Sequence, residues 1–199
     1  NGNICLIKPS GIDFQDLKEN QIVETDISCG KHNGVLAPST DTPTHIEIYR
    51  KYSVVGGVAH THSKYATAWA QAARSIPCLG TTHADYWRGA IPVTRRMTKE
   101  EINGEYELET GKVIVETIKE LRTDPLECPG ILVAHHGPFT WGSTVEEAVK
   151  NAEILEYIAK LAWMTLQMKP QNLPISAELQ DRHFSRKHGP NAYYGQVEQ

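Results

Sequence analysis

The sequence predicts a single domain that mixes strands and helices, in the broad α/β class. Two observations support this class: short β-branched apolar runs recur along the chain, and longer segments of helical periodicity separate them. In addition, the 199 residues contain no internal repeat, low-complexity segment or convincing linker. A chain of this length can bury a sizeable core, so we expect one domain over residues 1–199.

The first half of the chain is predicted to begin with strands and then to alternate helix and strand. The run ICLIKP, residues 4–9, is a short strand, and a loop, a helical turn and a second strand follow it. Residues 42–52 form a helix with proline in its first turn. Residues 54–62, VVGGVAHTH, form a buried strand, and the alanine-rich residues 63–75 form a helix capped by Ser63.

The second half is predicted to contain three helices and one strand. A capping box that begins at Thr98 starts a helix ending near Leu121. The run GILVAHHG, residues 130–137, is a second buried strand. A second capping box begins at Thr144 and starts a long amphipathic helix. Residues 176–189 form the last helix, which ends at a glycine.

Composition argues against several classes of function. The net charge of −4 gives no global field that would attract nucleic acid or an anionic membrane. No apolar run approaches the ~20 residues of a membrane-spanning helix, and the N-terminus does not resemble a signal peptide. The four cysteines are scattered without a CxxC pair, which favours reduced thiols over a structural zinc–thiolate site. We therefore expect a cytoplasmic protein that binds neither nucleic acid nor membranes.

Histidines close both buried strands. His60 and His62 are two residues apart, so in a strand both project from one face and can bind one divalent metal ion. The alternative is that both are ordinary surface or core histidines that bind no metal. A lone histidine at the end of a strand would favour that interpretation, whereas a pair at this spacing favours a metal site. His135 and His136 are adjacent and face opposite ways in an extended chain, so at most one joins the first pair. Three imidazoles with an open fourth position describe a catalytic zinc site.

Other polar segments have simple alternative explanations. Asp41 precedes a helix, where an N-cap is the ordinary role, and Asp85 lies in a predicted loop, where a turn residue is ordinary. The run KPSG, residues 8–11, joins a lysine, a hydroxyl and a flexible backbone that could cradle phosphate. The run AYYGQ, residues 192–196, places two tyrosines near a chain end, where a packed aromatic tail is the alternative.

Motifs over nearly the whole chain resemble those of the L-ribulose-5-phosphate 4-epimerase family, in the class II aldolase/epimerase superfamily. They are IKPSG, STDTPTH at 39–45, HTHS at 60–63, GTTHADY at 80–86, residues 94–117, HGPFTWG at 136–142 and RKHGPNAYYGQ at 186–196. HTHS is shared with the aldolases, whereas the other segments favour the epimerase branch. The resemblance implies a central, largely antiparallel sheet flanked by helices, and a ring-shaped homotetramer with active sites between neighbouring subunits.

The same resemblance implies the residues of the site. A zinc ion is held by His60, His62 and His136, with Asp41 as a further ligand or a group beside the metal; manganese or cobalt could substitute. The positions that match phosphate-binding residues are Ser10, Gly11, Ser39 and Thr40. The positions that match an acid–base pair are Asp85 and Tyr194, and the tyrosine resembles one that the adjacent subunit donates.

The implied reaction interconverts L-ribulose 5-phosphate and D-xylulose 5-phosphate by inversion at C4, in the catabolism of L-arabinose or a related sugar. C4 has no acidic C–H next to the carbonyl, so the family cleaves the C3–C4 bond by a retro-aldol step and re-forms it. In this chemistry a metal ion acts as a Lewis acid that stabilises negative charge, and two side chains transfer protons on opposite faces of the substrate. The alternatives are a class II aldolase acting on a related ketose phosphate, and a non-catalytic, truncated member of the family.

Three departures from the family pattern bear on these expectations. The chain has Ala134-His135-His136 where the family has His-Ser-His, and Thr40 replaces a serine while keeping its hydroxyl. The family's N-terminal helix and a loop with a phosphate-contacting asparagine precede IKPSG, and both are absent from these 199 residues. We therefore expect the activity of this 199-residue chain to be impaired.

Overall fold

A computed structural model describes residues 2–188 and 192–194 of the chain. In chain order the elements are β1 (Ile4–Ile7), β2 (Val23–Asp26), α1 (Thr42–Lys51), β3 (Gly57–His60), α2 (Lys64–Gln71), α3 (Thr81–Ala84), α4 (Lys99–Asn103), α5 (Tyr106–Leu121), β4 (Gly130–Leu132), β5 (Pro138–Gly142), α6 (Val145–Met168) and α7 (Ala177–His188). Strands pair only in antiparallel fashion within the named sheets. The predicted fold class, with antiparallel strands and flanking helices, is confirmed.

The chain divides into two compact units. The first comprises Asn1–Ser53 and Met97–Glu116, and the second comprises Val54–Arg96 and Thr117–Gln199. In the first unit β1 and β2 form an antiparallel pair, with Ile4 opposite Asp26. Their buried side chains form a small core with one residue of α1: Cys5, Ile7, Val23 and Ile46.

A helix predicted as continuous from Thr98 to Leu121 is two helices, so that prediction is wrong. The capping box itself forms: the Thr98 hydroxyl accepts from the Glu101 N–H at 3.3 Å, and the Glu101 carboxylate accepts from the Thr98 N–H at 2.7 Å. The break comes at Gly104, whose ψ of −136° leaves the helical region. Glycine has the least preference for a helix after proline, because it loses the most backbone freedom there.

The second unit is built on a three-stranded sheet with the order β3-β5-β4, so β5 is the central strand. Strand β5 is not predicted from the sequence, because PFTWG begins with proline and ends with glycine, as a turn would. All five of its residues are buried. Helix α6 packs against β5 and β3. At Gly57 an added Cβ would lie 2.5 Å from the Thr144 carbonyl oxygen, so only glycine lets β3 pass this close to the start of α6.

Several predicted bounds are corrected by the structure. The strand predicted over residues 130–137 ends at Leu132, because the chain then turns and His135 takes a positive φ of 64°. The strand predicted over residues 54–62 is ordered as a strand only in Gly57–His60, and residues 81–84, predicted as a loop, form α3. Within the part of the chain that the structure describes, no helix combines the length and apolarity needed to cross a bilayer.

Candidate active site

Three histidines of the second unit converge. His60 is the last residue of β3, His62 lies just before α2, and His136 lies in the turn that leads into β5. Strands β3 and β5 pair with His60 opposite Phe139. The turn that precedes β5 therefore lies next to the end of β3, where His60 is. One nitrogen from each of the three imidazoles lies within 4.8 Å of the others.

The ring of His60 is held in a defined orientation. Its Nδ1 lies 2.9 Å from the Pro138 carbonyl oxygen, and its ring stacks on Phe139 with centroids 4.0 Å apart. A carbonyl oxygen only accepts, so Nδ1 must carry the proton, and in the neutral ring Nε2 then presents a lone pair. This tautomer is the one that an Nε2 metal ligand needs, and such a carbonyl contact orients metal-binding histidines in general.

The three side chains fit a divalent metal ion of the zinc class. Zinc–imidazole bonds of ~2.0–2.1 Å in a tetrahedron put ligand nitrogens ~3.4 Å apart. The Nε2 atoms of His60 and His62 are already 3.1 Å apart. Three imidazoles without a thiolate leave a fourth position for substrate or water, as in catalytic rather than structural zinc sites.

His135 does not join this cluster, although it is adjacent to His136. Its Nδ1 lies 3.0 Å from the Gln71 carbonyl oxygen, and its backbone N–H donates to the Ala70 carbonyl at 2.8 Å. The turn at His135, rather than strand alternation, therefore separates the two rings. Gly137 follows at once, and an added Cβ there would lie 3.0 Å from the Thr61 carbonyl oxygen and 3.5 Å from Cε1 of His60.

Asp85, which directly follows α3, is surrounded by basic side chains of α7. Its Oδ1 accepts from His183 Nδ1 at 3.0 Å and from Arg186 Nη2 at 2.9 Å, and its Oδ2 accepts from Arg186 Nη2 at 2.8 Å. The Lys187 Nζ atom lies 3.6 Å from Oδ2. Burial alone would raise the pKa of Asp85, but the hydrogen bonds from Arg186 and His183 and the nearby charges outweigh it and hold the pKa below its ordinary value.

Tyr194 lies against the same cations. Its ring centroid is 4.9 Å from the Arg186 guanidinium carbon and 4.6 Å from the Lys187 Nζ. Its backbone N–H donates to the Arg186 carbonyl oxygen at 3.1 Å. The structure thus brings the predicted acid–base residues Asp85 and Tyr194 of one chain to one side chain. The remaining residues of the AYYGQ motif, 195 and 196, lie outside the described residues.

The three side chains of α7 that surround Asp85 are not among the predicted site residues: His183, Arg186 and Lys187. A signal was nevertheless present in the predicted last helix, because residues three and four apart share one helical face. Arg186 and Lys187 follow His183 by three and four residues, so all three side chains lie on one face of the helix. A cationic face on a helix is ordinarily a solvated surface, so the pattern alone would not single it out.

The four predicted phosphate residues lie in two loops of the first unit. The Ser10 N–H donates to the Ala37 carbonyl at 2.9 Å, and the Ser39 N–H donates to the Lys8 carbonyl at 2.9 Å. Gly11, beside Ser10, has a φ of 71°, in the left-handed region that favours glycine. Ser39 and Thr40 line a cavity of about 510 Å³, which Cys29, Arg50 and Glu107 also line.

Asp41 occupies the N-cap position of α1, but its side chain makes no capping hydrogen bond. The Ser39 hydroxyl instead lies 3.5 Å from Asp41 Oδ2 and accepts from the Asp41 N–H at 3.3 Å. The carboxylate is therefore not used for the capping role that its position would ordinarily predict. Its role beside a metal stays a prediction.

Comparison with known proteins finds one matching family model and several solved structures of similar fold. The model of a family described as "Class II Aldolase and Adducin N-terminal domain" matches residues 1–163. An L-fuculose 1-phosphate aldolase structure is similar at a TM-score of 0.75 and 23% identity, covering 92% of this chain and 80% of that one. The structure of YgbL from Escherichia coli, whose name offers aldolase, epimerase and decarboxylase as alternatives, is similar at a TM-score of 0.67 and 23% identity, covering 90% of this chain and 85% of that one.

Proposed function

The chain belongs to the class II aldolase and adducin N-terminal domain family, and from that premise we propose that it is a metal-dependent L-ribulose-5-phosphate 4-epimerase. We propose further that residues 1–199 form one domain of this kind. The observation that carries the proposal is the combination of two sets of groups in one chain. One set is the three converging imidazoles, and the other is an ionised Asp85 beside Tyr194. Inversion at C4 by the retro-aldol route uses a Lewis acid to stabilise the developing negative charge and proton transfer on two faces of the carbon.

The metal is proposed to be zinc at His60, His62 and His136, with manganese or cobalt as possible substitutes. Asp41 is proposed as a further ligand or as a group beside the metal. When bound, the ion supplies Lewis acidity that stabilises negative charge on substrate oxygens. The tautomer of His60 that the Pro138 carbonyl imposes supports this assignment, because it leaves Nε2 available.

The substrate phosphate is proposed to bind at the two hydrogen-bonded loops of the first unit. Hydroxyls of Ser10, Ser39 and Thr40 and the backbone at Gly11 would donate to or border the phosphate oxygens. The backbone bonds between the loops support this proposal because they keep the four residues in one place. Their task is to retain the two-carbon aldehyde phosphate while it rotates, since its release would make the enzyme an aldolase.

Asp85 and Tyr194 are proposed to handle the protons. Asp85 accepts the proton of the C4 hydroxyl as the C3–C4 bond breaks, and the electron pair of that bond stays with the three-carbon fragment. After the aldehyde has turned, C3 attacks its other face, and the Tyr194 hydroxyl donates a proton to the new C4 oxygen. Exchange with water then restores both groups. Asp85 is ionised at neutral pH and can accept a proton, and its lowered pKa makes it a weaker base than an ordinary aspartate, so its position beside Tyr194 supports the role rather than its basicity.

The assembly is proposed to be a ring-shaped homotetramer in which Tyr194 serves the metal of a neighbouring subunit. The four cysteines are free in the structure, which supports a cytoplasmic location. Light scattering after gel filtration tests the assembly and should give a mass four times the 22.2 kDa of one chain.

The activity is tested with zinc-loaded protein, together with any upstream segment that its gene encodes. L-Ribulose 5-phosphate is supplied, and D-xylulose 5-phosphate is measured in a coupled assay. We expect epimerisation that chelation abolishes and zinc restores. Free glycolaldehyde phosphate as the main product would instead establish an aldolase. Metal binding without either product would contradict the enzymatic proposal and favour a non-catalytic family member.

A further inference from the structure

His62 differs from the other two converging histidines in what holds its backbone. His60 ends β3 and His136 lies in the turn beside it, so the pairing of β3 with β5 places both residues. His62 lies outside the sheet, in the loop between β3 and α2. Just before it, the Thr61 N–H donates to the Pro138 carbonyl at 3.4 Å, which is long for a hydrogen bond. The position of His62 therefore depends on where α2 begins.

The first turn of α2 is held by a carboxylate of another helix. Glu156 of α6 accepts the Tyr65 N–H through Oε1 and the Ala66 N–H through Oε2, each at 2.9 Å. An N-cap side chain ordinarily accepts from N–H groups at these positions. The N-cap residue here, Ser63, makes no such bond, and its hydroxyl is buried without a hydrogen-bond partner among the described residues. The start of α2 is thus fixed by α6 rather than by its own sequence.

Two further residues of α6 contact the side chain of Tyr65. The centroid of its ring lies 5.8 Å from that of the Trp163 ring and 5.6 Å from the Lys160 Nζ. Glu156, Lys160 and Trp163 recur at helical spacing, so one face of α6 holds both the backbone and the ring of Tyr65. Because Tyr65 follows His62 by only three residues, a shift of this first turn would move His62 as well.

We propose that Glu156 is a positioning residue for the metal centre, which places the His62 ring beside the other two histidines by fixing the first turn of α2. This inference rests on the proposed function in taking the three histidines as metal ligands. It goes further by making zinc affinity depend on a carboxylate that acts through the backbone. Metal sites are sensitive to such placement, because ligand distances must agree to within about 0.2 Å.

A second anchor between the two helices offers a competing explanation. The Trp69 indole N–H donates to the Ala159 carbonyl at 3.0 Å. Trp69 lies one helical turn beyond Tyr65, so it holds the body of α2 but does not by itself prevent the first turn from fraying. If this anchor were sufficient, loss of Glu156 would lower stability and leave zinc affinity unchanged.

The first test compares the zinc affinities of E156A and E156Q with those of two controls, at a temperature where every chain is folded. E153A removes an exposed carboxylate from the same helix, and T98A removes the N-cap of α4 and so lowers stability by a related mechanism. Changes around metal ligands typically cost 10- to 100-fold in affinity, so we expect E156A to bind zinc about tenfold more weakly. E156Q should lie between E156A and the wild type, because its amide oxygen can still accept an N–H group.

Both controls should keep the wild-type affinity. Wild-type affinity in E156A, or an equal loss in T98A, would overturn the proposal. A loss in E156Q as large as that in E156A would also overturn it, because the charge of Glu156 rather than its hydrogen bonds would then be the cause. A wild type that binds no zinc would overturn the metal centre and this inference together.

A second measurement needs neither metal nor activity. The Nε2 atoms of His60 and His62 lie 3.1 Å apart, so displacement of His62 should change the ¹⁵N shift of its Nε2, assigned by comparison with H62N. We expect this change in metal-free E156A and not in metal-free E153A, and an unchanged signal in E156A would refute the link. If the wild type binds zinc but shows no epimerase activity, the proposed function fails while the zinc affinities still decide the role of Glu156.

Discussion

The Nε2 atoms of His60 and His62 face each other at 3.1 Å. Because Nδ1 of His60 donates to the Pro138 carbonyl, Nε2 of the neutral His60 ring has a lone pair and accepts. The proton between the two rings must then belong to His62. A metal ion that binds both Nε2 atoms has to displace this proton, so the hydrogen bond marks the same position that the metal would take.

The adjacent histidines 135 and 136 give a matched pair for testing the metal centre. We expect H136N to lose metal affinity by at least ~100-fold, because removing even an outer-shell partner costs 10- to 100-fold. H135N should bind metal like the wild type, since His135 is directed at the Gln71 carbonyl and asparagine tolerates its positive φ. The metal affinity of each variant is measured from its zinc content after dialysis and from competition with a chromophoric chelator. Equal losses in the two variants would contradict this assignment.

Gly137 should be required for metal binding through its lack of a side chain. An added Cβ would meet the Thr61 carbonyl at 3.0 Å, His60 Cε1 at 3.5 Å and His62 Cδ2 at 3.6 Å. We expect G137A to fold and to bind zinc more weakly, because the histidines must shift to make room. The control is G80A, at a position where an added Cβ meets nothing within 4 Å. Titration with zinc should separate the two, and wild-type affinity in G137A would refute the crowding argument.

The parts of the site that sequence predicts are those that depend on neighbours along the chain. His60 and His62 are two residues apart at the end of a β-branched run, and this local pattern suffices to place both rings together. The role of His136 requires the pairing of β3 with β5, and the PFTWG sequence of β5 does not indicate a strand. Arg186 acts on Asp85 across 101 residues of sequence, a contact that no local periodicity encodes.

Glu156 of α6 is expected to stabilise the start of α2. Its carboxylate accepts from the Tyr65 N–H at 2.9 Å and from the Ala66 N–H at 2.9 Å, whereas the N-cap residue Ser63 makes no side-chain capping bond. We expect E156Q to lower the free energy of unfolding by about 1 kcal/mol, since a helix N-terminus favours a negative acceptor. E153Q, at an exposed position of the same helix, is the control. Urea unfolding measures both, and an equal effect would exclude a capping role.

His83 should make the stability of the chain depend on pH between about 6.5 and 4. It is buried, and burial lowers its pKa from 6.5 to about 4, although the hydrogen bond to the Gly89 carbonyl opposes this. Its folded-state pKa lies below the unfolded value, so the stabilisation is complete above pH 6.5 and is lost as pH falls towards 4. A change of one in pKa corresponds to about 1.4 kcal/mol, so the free energy of unfolding should fall by about 3 kcal/mol between pH 6.5 and 4.

The comparison is between the wild type, H83Q and H32Q, where His32 is exposed. The free energy of unfolding of each metal-free chain is measured by urea unfolding at several pH values. The metal-binding histidines are the same in all three chains, so a difference between the pH dependences reports the substituted histidine. H83Q should lose stability at neutral pH, because glutamine does not fill the site of the ring. Its stability should nevertheless fall less than that of the wild type between pH 6.5 and 4, since it has no imidazole to protonate. H32Q should keep the wild-type dependence. A wild-type slope in H83Q would mean that His83 is not the group whose protonation destabilises the folded chain.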